Sequence, residues 1–278
     1  MLSLHTNAAS LSAQNALSKT QSSLSTSMTR LSTGYRINSA MDDAAGLQIA
    51  SRLKAQTSGM SVAMRNTQNA TAMLQTAEGA LDEVSNILIR MKDLATQAAD
   101  SGSTDKDKLA MKAEFDELGL ELTNITTKTT FGGEALLSGG TIGNAALTFQ
   151  IGAASDETME VDLQQLVTDM DDALGDATGA DLTTAAGGTA AIGFLNTAID
   201  EVGELRSSLG AAANRLDHVY NNLANISTNT KTATGLIMDV DFATESANMT
   251  SNQMLMQAGT AMLKQSNSMS SMVMSLLQ

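Results

Sequence analysis

Few residues in this sequence could carry chemistry. There are two histidines, His5 and His218, and no cysteine. Acid–base or nucleophilic catalysis needs several convergent groups of suitable pKa, and two distant histidines do not supply them. Each is expected at a surface or boundary. Asp169, Asp171 and Asp172 suggest a cation site by type. They lack the glycine and the distal glutamate of a calcium loop, so a solvated acidic face is expected instead. The glycine-rich stretches contain no G-x-x-x-x-G-K-[ST] phosphate loop. Absent cysteine excludes a disulfide framework and thiolate-bound metal. Asn124-Ile125-Thr126 and Asn225-Ile226-Ser227 fit the N-glycosylation pattern. Both fall on expected packing stripes, which argues against their use. No catalytic residue, metal or cofactor is expected.

The elements that would position any site are helices. Among 278 residues there is no Pro or Trp, with 2 Tyr, 5 Phe and 18 Met. A core of this composition leans on Leu, Ile, Val, Ala and Met, and the missing proline removes the commonest helix breaker. Apolar residues recur by three and four: Leu74, Ala77, Leu81, Val84, Leu88, Met91, Ala95 and Ala98. Met111, Phe115, Leu118, Leu122 and Ile125 form a second stripe, and Leu195, Ile199, Val202, Leu209, Ala213, Leu216, Tyr220 and Leu223 a third. Such stripes pack helices side by side at shallow angles. Arg206 falls on the third stripe and must snorkel or face an edge. A helix over 44–100 would reach roughly 85 Å, a rod.

Breaks fall where helices should turn. Ser101 to Asp105 separates two helices, with Thr or Asp as N-cap, and Phe131-Gly132-Gly133 ends the second. Residues 139–188 are rich in Gly, Thr, Ala and Asp. Alternation over Ala146–Ile151 and Met159–Leu163 predicts a β-hairpin, followed by a brief helix near 163–174. A glycine-rich connection ending in Ala185-Ala186-Gly187-Gly188-Thr189 is expected to precede the long return helix. The fold class is therefore mainly α: an elongated antiparallel bundle or coiled coil formed by both chain ends, with a small hairpin and short insertion in the middle.

The two ends are unusual. Net charge is −14, yet Met1 to Met41 carries only Lys19, Arg30 and Arg36, and Ser246 to Gln278 only Lys264. The acidic balance argues against nucleic acid as a partner. No segment approaches about 18 continuous apolar residues, so no membrane insertion is expected. The stretch before Lys19 has neither a basic cluster nor an apolar run, so no secretory signal peptide is expected. Ordering backbone costs about 1–2 kcal/mol per residue. The apolar side chains of residues 1–35, several of them Ala, and of 244–278, mostly Met and Leu, fall short of offsetting this if each end stands alone. Neither end should fold stably alone, but both could if copies of the chain buried the remaining face. The residues expected to do this are Leu17, Leu24, Met28 and Leu31 at one end and Leu255, Met262, Met269 and Leu276 at the other, with Met249, Met256 and Leu263 on an adjoining row. The many methionines of the tail can adapt to irregular contacts between identical subunits.

Several strings carry a family resemblance. Arg30-Leu31-Ser32-Thr33-Gly34-Tyr35-Arg36-Ile37-Asn38-Ser39-Ala40, followed by Met41-Asp42-Asp43-Ala44-Ala45-Gly46-Leu47, closely resembles the N-terminal signature of bacterial flagellin. Met238-Asp239-Val240-Asp241-Phe242-Ala243-Thr244-Glu245 is similar to its D-x-D-aromatic-A-x-E segment. Gln257 to Leu263 and Val273 to Leu277 are similar to its C-terminal end. The likeness covers about residues 1–138 and 190–278.

The resemblance implies a hairpin-shaped subunit that polymerises with itself into a secreted, extracellular filament for motility. Residues 1–41 and 236–278 would form an inner coiled-coil domain, 42–138 and 189–235 a helical rod domain, and 139–188 a small surface insertion. Type III export, a flagellar export chaperone, and contacts with hook-associated and cap proteins are also implied. Members sensed by the flagellin-binding Toll-like receptor present an exposed Arg, Leu and Glu on two neighbouring helices, and Arg90, Leu94 and Glu114 stand at the matching places. The string Ile89-Arg90-Met91-Lys92-Asp93-Leu94 departs from the usual Q-R-x-R-E-L form, and Leu118 replaces a frequent Arg. Val273, Leu276 and Leu277 match the tail read by cytosolic flagellin sensors, with Gln278 in place of a common Arg. A hook–filament junction protein shares such terminal coiled coils and is the alternative reading. A soluble type III-exported coiled-coil protein would not need matching motifs at both ends.

Overall fold

A computed structural model describes residues 7–276, with side chains described through residue 269. In chain order the elements are α1 (Ala8–Thr33), α2 (Ala44–Ala99), α3 (Asp105–Lys128), β1 (Thr130–Phe131), β2 (Glu134–Ala135), α4 (Thr141–Asn144), β3 (Leu147–Gln150), β4 (Thr158–Val161), α5 (Gln164–Thr178), α6 (Ala185–Met238) and α7 (Phe242–Leu276). The chain forms two compact units, residues 1–55 with 229–278 and residues 56–228. The fold is mainly α, as the periodicity requires.

In the unit of residues 56–228, α2 buries Met60, Ala63, Thr67, Ala70, Leu74, Ala77, Leu81, Val84, Leu88, Met91, Ala95 and Ala98. The steps alternate strictly between three and four, so every one of these residues falls on one seam. Thr67 is tolerated there because its hydroxyl donates to the Ala63 carbonyl at 2.8 Å. On α6 the matching seam is Gly188, Ala191, Leu195, Ala198, Val202, Leu205, Leu209, Ala212 and Leu216. This corrects the sequence stripe by one residue. Leu205 holds the seam and Arg206 stands beside it, donating to Glu78 at 3.0 Å and Asp82 at 2.8 Å on α2. The hydrogen bond to Glu78 holds the Arg206 guanidinium above its ordinary pKa, with the nearby Asp82 charge adding to it.

Helix ends follow the expected chemistry. Thr104 caps α3: its hydroxyl accepts from the Asp107 N–H at 3.4 Å, and Asp107 accepts from the Thr104 N–H at 3.1 Å. This reciprocal pair satisfies two orphan donors. The Thr104 hydroxyl also holds the Asp107 carboxyl below the usual range. After α3, Gly132 and Gly133 adopt φ of 64° and 95°. Two consecutive left-handed residues make a tight turn that joins β1 to β2, so a glycine pair read as a helix stop also builds a small hairpin.

The second hairpin pairs Leu147 with Val161 and Phe149 with Met159. Leu147, Met159 and Val161 face inward and belong to the same core as the α2 and α6 seams. α5 extends the brief helix expected near 163–174 and buries Val167, Met170, Ala173, Leu174 and Ala177. α6 begins at Ala185, so Gly187 and Gly188 lie inside its first turn and not in a connection before it. The Thr184 hydroxyl accepts from the Gly187 N–H at 3.0 Å and starts the helix. A Cβ on Gly188 would stand 2.7 Å from the Ala99 nitrogen, which explains the glycine: α2 and α6 approach too closely for any side chain.

Candidate polymer-packing site

The unit built from the two chain ends is put together differently. α1 and its N-cap Asn7 present Asn7, Ser10, Ala13, Leu17, Thr20, Leu24, Ser27 and Leu31, alternating by three and four from Ser10 onward, all sheltered to some degree. α7 answers with Glu245, Met249, Asn252, Met256, Gly259, Leu263 and Ser266. This is a heptad seam in which one position of each pair is apolar and the other is small or polar. Asn7 donates to the Ser266 carbonyl at 3.3 Å, and Ser10 to the Asn267 side chain at 3.1 Å. Gly259 lets Leu17 approach, since a Cβ there would lie 3.3 Å from the leucine methyl.

The loop after α1 fastens to the turn before α7 in a short antiparallel bridge. Gly34, with φ of 76°, ends α1 in the left-handed conformation. The Arg36 N–H donates to the Met238 carbonyl at 2.6 Å, its guanidinium to the Ile237 carbonyl at 2.8 Å, and the Val240 N–H to Gly34 at 3.0 Å. Asp42 accepts from the N–H groups of Asn38 and Ser39 at 3.0 and 2.9 Å. Those backbone donors hold its carboxyl below the usual range. At the head of α7, Asp241 accepts from the Thr244 hydroxyl and the Ala243 N–H. The Thr244 hydroxyl first, then the backbone donors, lower its pKa as well.

Among the described residues of this unit, only Leu24, Ile37 and Ala50 are buried apolar residues. The large hydrophobic cluster of the molecule draws none of its members from it. The expected packing residues separate into two groups. Leu24 is buried, and Leu17 and Leu31 are half-buried against α7. Met28 is exposed, as are Leu255, Met262 and Met269, with Met262 at 67%. Leu11, Met254 and Phe242 extend the exposed apolar surface. Leu276 and Val273 lie in the last turns of α7, while Leu277 lies outside the described residues.

The sequence reading missed the Arg30–Glu245 pair, 3.7 Å apart and joining α1 to α7. The signal was present: Arg30 and Glu245 are lone opposite charges at facing ends of two nearly uncharged segments. Ser22, Thr26, Ser27, Asn248 and Asn252 line a polar cleft around them.

Elsewhere, Arg90 on α2 and Glu114 on α3 are neighbours. The Arg90 Nε and Nη2 donate to one Glu114 oxygen at 3.0 and 2.6 Å, and both side chains are exposed. Leu94 differs from the expectation of an exposed leucine. It is 3% exposed and belongs to the core, because its position on α2 adjoins the seam residue Ala95. Ile89 supplies the exposed apolar side chain nearby in sequence. His218 is exposed on α6, and His5 lies outside the described residues. Asn124 and Asn225 are exposed, not on the stripes; their neighbours Thr126 and Ser227 occupy the buried positions. Among the described residues, no group of three His, Asp or Glu could hold a metal, and no helix is long and apolar enough to cross a membrane.

An extended helical pairing of chain ends, short of apolar core and rich in exposed Met and Leu, defines a structural subunit that assembles with copies of itself. Residues 4–141 match the bacterial flagellin N-terminal helical region, and residues 192–277 the bacterial flagellin C-terminal helical region. Over all of both chains the sequence is 34% identical to Flagellin A of Vibrio anguillarum, and it is 37% identical to flagellin of Bacillus subtilis over 98% of each. A putative flagellar hook-associated protein of Vibrio parahaemolyticus shares the fold alone, at 17% identity and TM-score 0.56 over 71% of this chain and 99% of that one. The chain belongs to the bacterial flagellins: it is the self-polymerising subunit of the extracellular flagellar filament used for motility, a structural protein and not an enzyme.

Proposed function

We propose that α1 and α7, with residues 1–41 and 236–278, make the inner coiled-coil layer of the filament, and that 42–138 with 189–235 make the helical layer around it. Residues 139–188 are the surface insertion of this short chain. In this reading Leu17, Leu24 and Leu31 hold the intramolecular seam, and Met28, Leu255, Met262, Met269 and Leu276 meet neighbouring copies. The observation that carries it is the exposure of the α7 row beside a seam with almost no buried apolar residue. The hydrophobic effect acts on that row only when another surface covers it. Amide exchange tests the assignment: α1 and α7 should exchange freely in the monomer and become protected in the filament. Full protection in the monomer would overturn it.

The remaining partners are proposed by analogy with the family. A flagellar export chaperone covers the α7 row before type III export, and hook-associated and cap proteins meet the same surfaces at the filament ends. Arg90 and Glu114 contact the flagellin-sensing Toll-like receptor, with Leu94 supporting them from the core. Val273, Leu276 and Leu277 are the contact for cytosolic sensors. Receptor reporter output with purified monomer decides the first of these; silence at saturating dose ends it.

A further inference from the structure

A cleft is formed where a helix of the N-terminal matching region meets a helix of the segment between the two matching regions. It lies between α3 and α5, has a volume of about 180 Å³, and is floored by Leu122 and Leu174. Its polar lining is Thr123, Thr126, Thr127, Thr178, Ser138 and Asp171. Each threonine hydroxyl has already committed its proton to a helix carbonyl. Thr123 donates to Gly119 at 3.0 Å, Thr126 and Thr127 to Thr123 at 3.2 and 2.7 Å, and Thr178 to Leu174 at 2.9 Å. A hydroxyl has one proton and two lone pairs, so these four oxygens offer the cleft acceptors only. Asp171 adds a carboxylate and acceptor oxygens.

No basic side chain lines the cleft, and none exists between Thr129 and Leu205. Burial accordingly pushes the Asp171 carboxyl above its ordinary range, against the nearby Ser138 hydroxyl, with Asp172 adding to the rise. The cleft is thus an acceptor-lined, singly anionic pocket with an apolar floor.

We propose that this cleft binds a guanidinium-type cation. Three features select that class. The lining asks for a ligand that only donates, which a guanidinium does and a neutral amide does not. The acceptors are spread across two helices, matching a planar fork better than the tight oxygen cage a hard metal ion requires. The leucine floor suits a cation whose faces are weakly hydrated, and an ammonium is more strongly hydrated. The group comes either from a free small molecule or from an arginine side chain of a second copy, and the two sources are separable.

The experiment titrates methylguanidinium into the full-length chain at constant ionic strength, following the threonine methyl signals by NMR. Saturable shifts confined to Thr123, Thr126, Thr127 and Thr178 are expected, at least tenfold weaker for methylammonium. Asp171→Asn, nearly isosteric, should weaken binding at least tenfold, while Asp172→Asn, an exposed neighbour, should leave it within twofold. Equal shifts with sodium chloride, or equal effects of the two variants, would overturn the proposal. Repeating the titration on assembled filaments identifies the source. A cleft open to the probe in the monomer but closed to it in filaments indicates an arginine from a neighbouring copy. A cleft that stays open throughout indicates a free ligand.

Discussion

Arg30 and Glu245 face each other across the α1–α7 seam at 3.7 Å, and the two are not equally sheltered: the arginine side chain is 29% exposed and the glutamate 9%. The asymmetry sets what each loses without the other. An arginine left alone can reach water along its flexible stem, whereas the glutamate cannot. Arg30→Gln should therefore be the more damaging change, by about 1–3 kcal/mol, and Glu245→Gln the milder. Thermal dissociation of filaments made from each variant checks the order. The reverse order would mean that the arginine, whose Nε is buried without a partner, is the strained member.

Two glycines on α6 should respond in opposite directions. A Cβ at Gly188 would strike the backbone of α2, while one at Gly193 would meet nothing within 4 Å. Gly188→Ala forces the helices apart and should cost about 1–3 kcal/mol. Gly193→Ala only gains helix propensity and should add about 0.5–1 kcal/mol. Thermal unfolding of the monomer measures both. Equal shifts would show that helix propensity, not the approach of α2, governs the pair.

The seam of residues 56–228 was legible from Leu74 to Ala98 because it repeats there without interruption; its continuation back to Met60 runs through Ala63, Thr67 and Ala70, small or polar residues that carry little signal. What could not be read was the rotation of a helix by one residue. Small residues flank the seam on α6, so Ala212 and Ala213 are equivalent in the pattern, and only packing decides that Ala212 is buried and Ala213 half-buried. The same ambiguity placed Arg206 on the seam, whereas the exposed Leu94 was an expectation of the family resemblance and not of the pattern. In α7 two heptad rows run side by side, Met249–Met256–Leu263 and Leu255–Met262–Met269. One chain contains no signal for which row meets α1 and which stays open. The β1–β2 hairpin was missed because a Gly-Gly pair after a helix reads equally well as a stop.

Leu94 and the Arg90–Glu114 pair should separate folding from recognition. The exposed ion pair contributes about 0.2–1 kcal/mol to stability, so Arg90→Ala should leave the melting temperature nearly unchanged. Leu94→Ala removes a buried side chain and should cost about 2–5 kcal/mol. Receptor reporter output that falls for Arg90→Ala at unchanged stability supports direct contact. Output that tracks stability across both variants would assign the effect to folding alone.

The loop joining α1 to α2 should open in acid in a defined window. The Asp42 carboxyl sits below the ordinary aspartate range because the Ser39 and Asn38 N–H groups bind its charged form. For a lowered carboxyl, the stabilisation is fully present above the unfolded value and is lost as pH falls through the folded one. The Asn38 and Ser39 amide signals should therefore hold steady down to about pH 4 and move only below it. Asp42→Ala should remove that transition. Asp171 runs the other way. Its raised carboxyl makes the folded state the stronger proton binder, so its penalty is absent below the ordinary value and grows as pH rises through the folded one.

The two rows of α7 give the sharpest contrast. Met249, Met256 and Leu263 face α1 within the subunit, while Leu255, Met262 and Met269 are open. Covering one such side chain contributes about 1.5–3 kcal/mol, equal to roughly one to two orders of magnitude in an association constant. Met262→Ser should thus raise the critical concentration for filament growth by about 10- to 100-fold, with the thermal unfolding of residues 56–228 unchanged. Leu263→Ser should instead weaken the pairing of α1 with α7 and lose amide protection along that seam in whatever filaments form. If Met262→Ser polymerised like the wild type while Leu263→Ser did not, the open row would not be the contact between copies, and assembly would depend on the intramolecular seam alone.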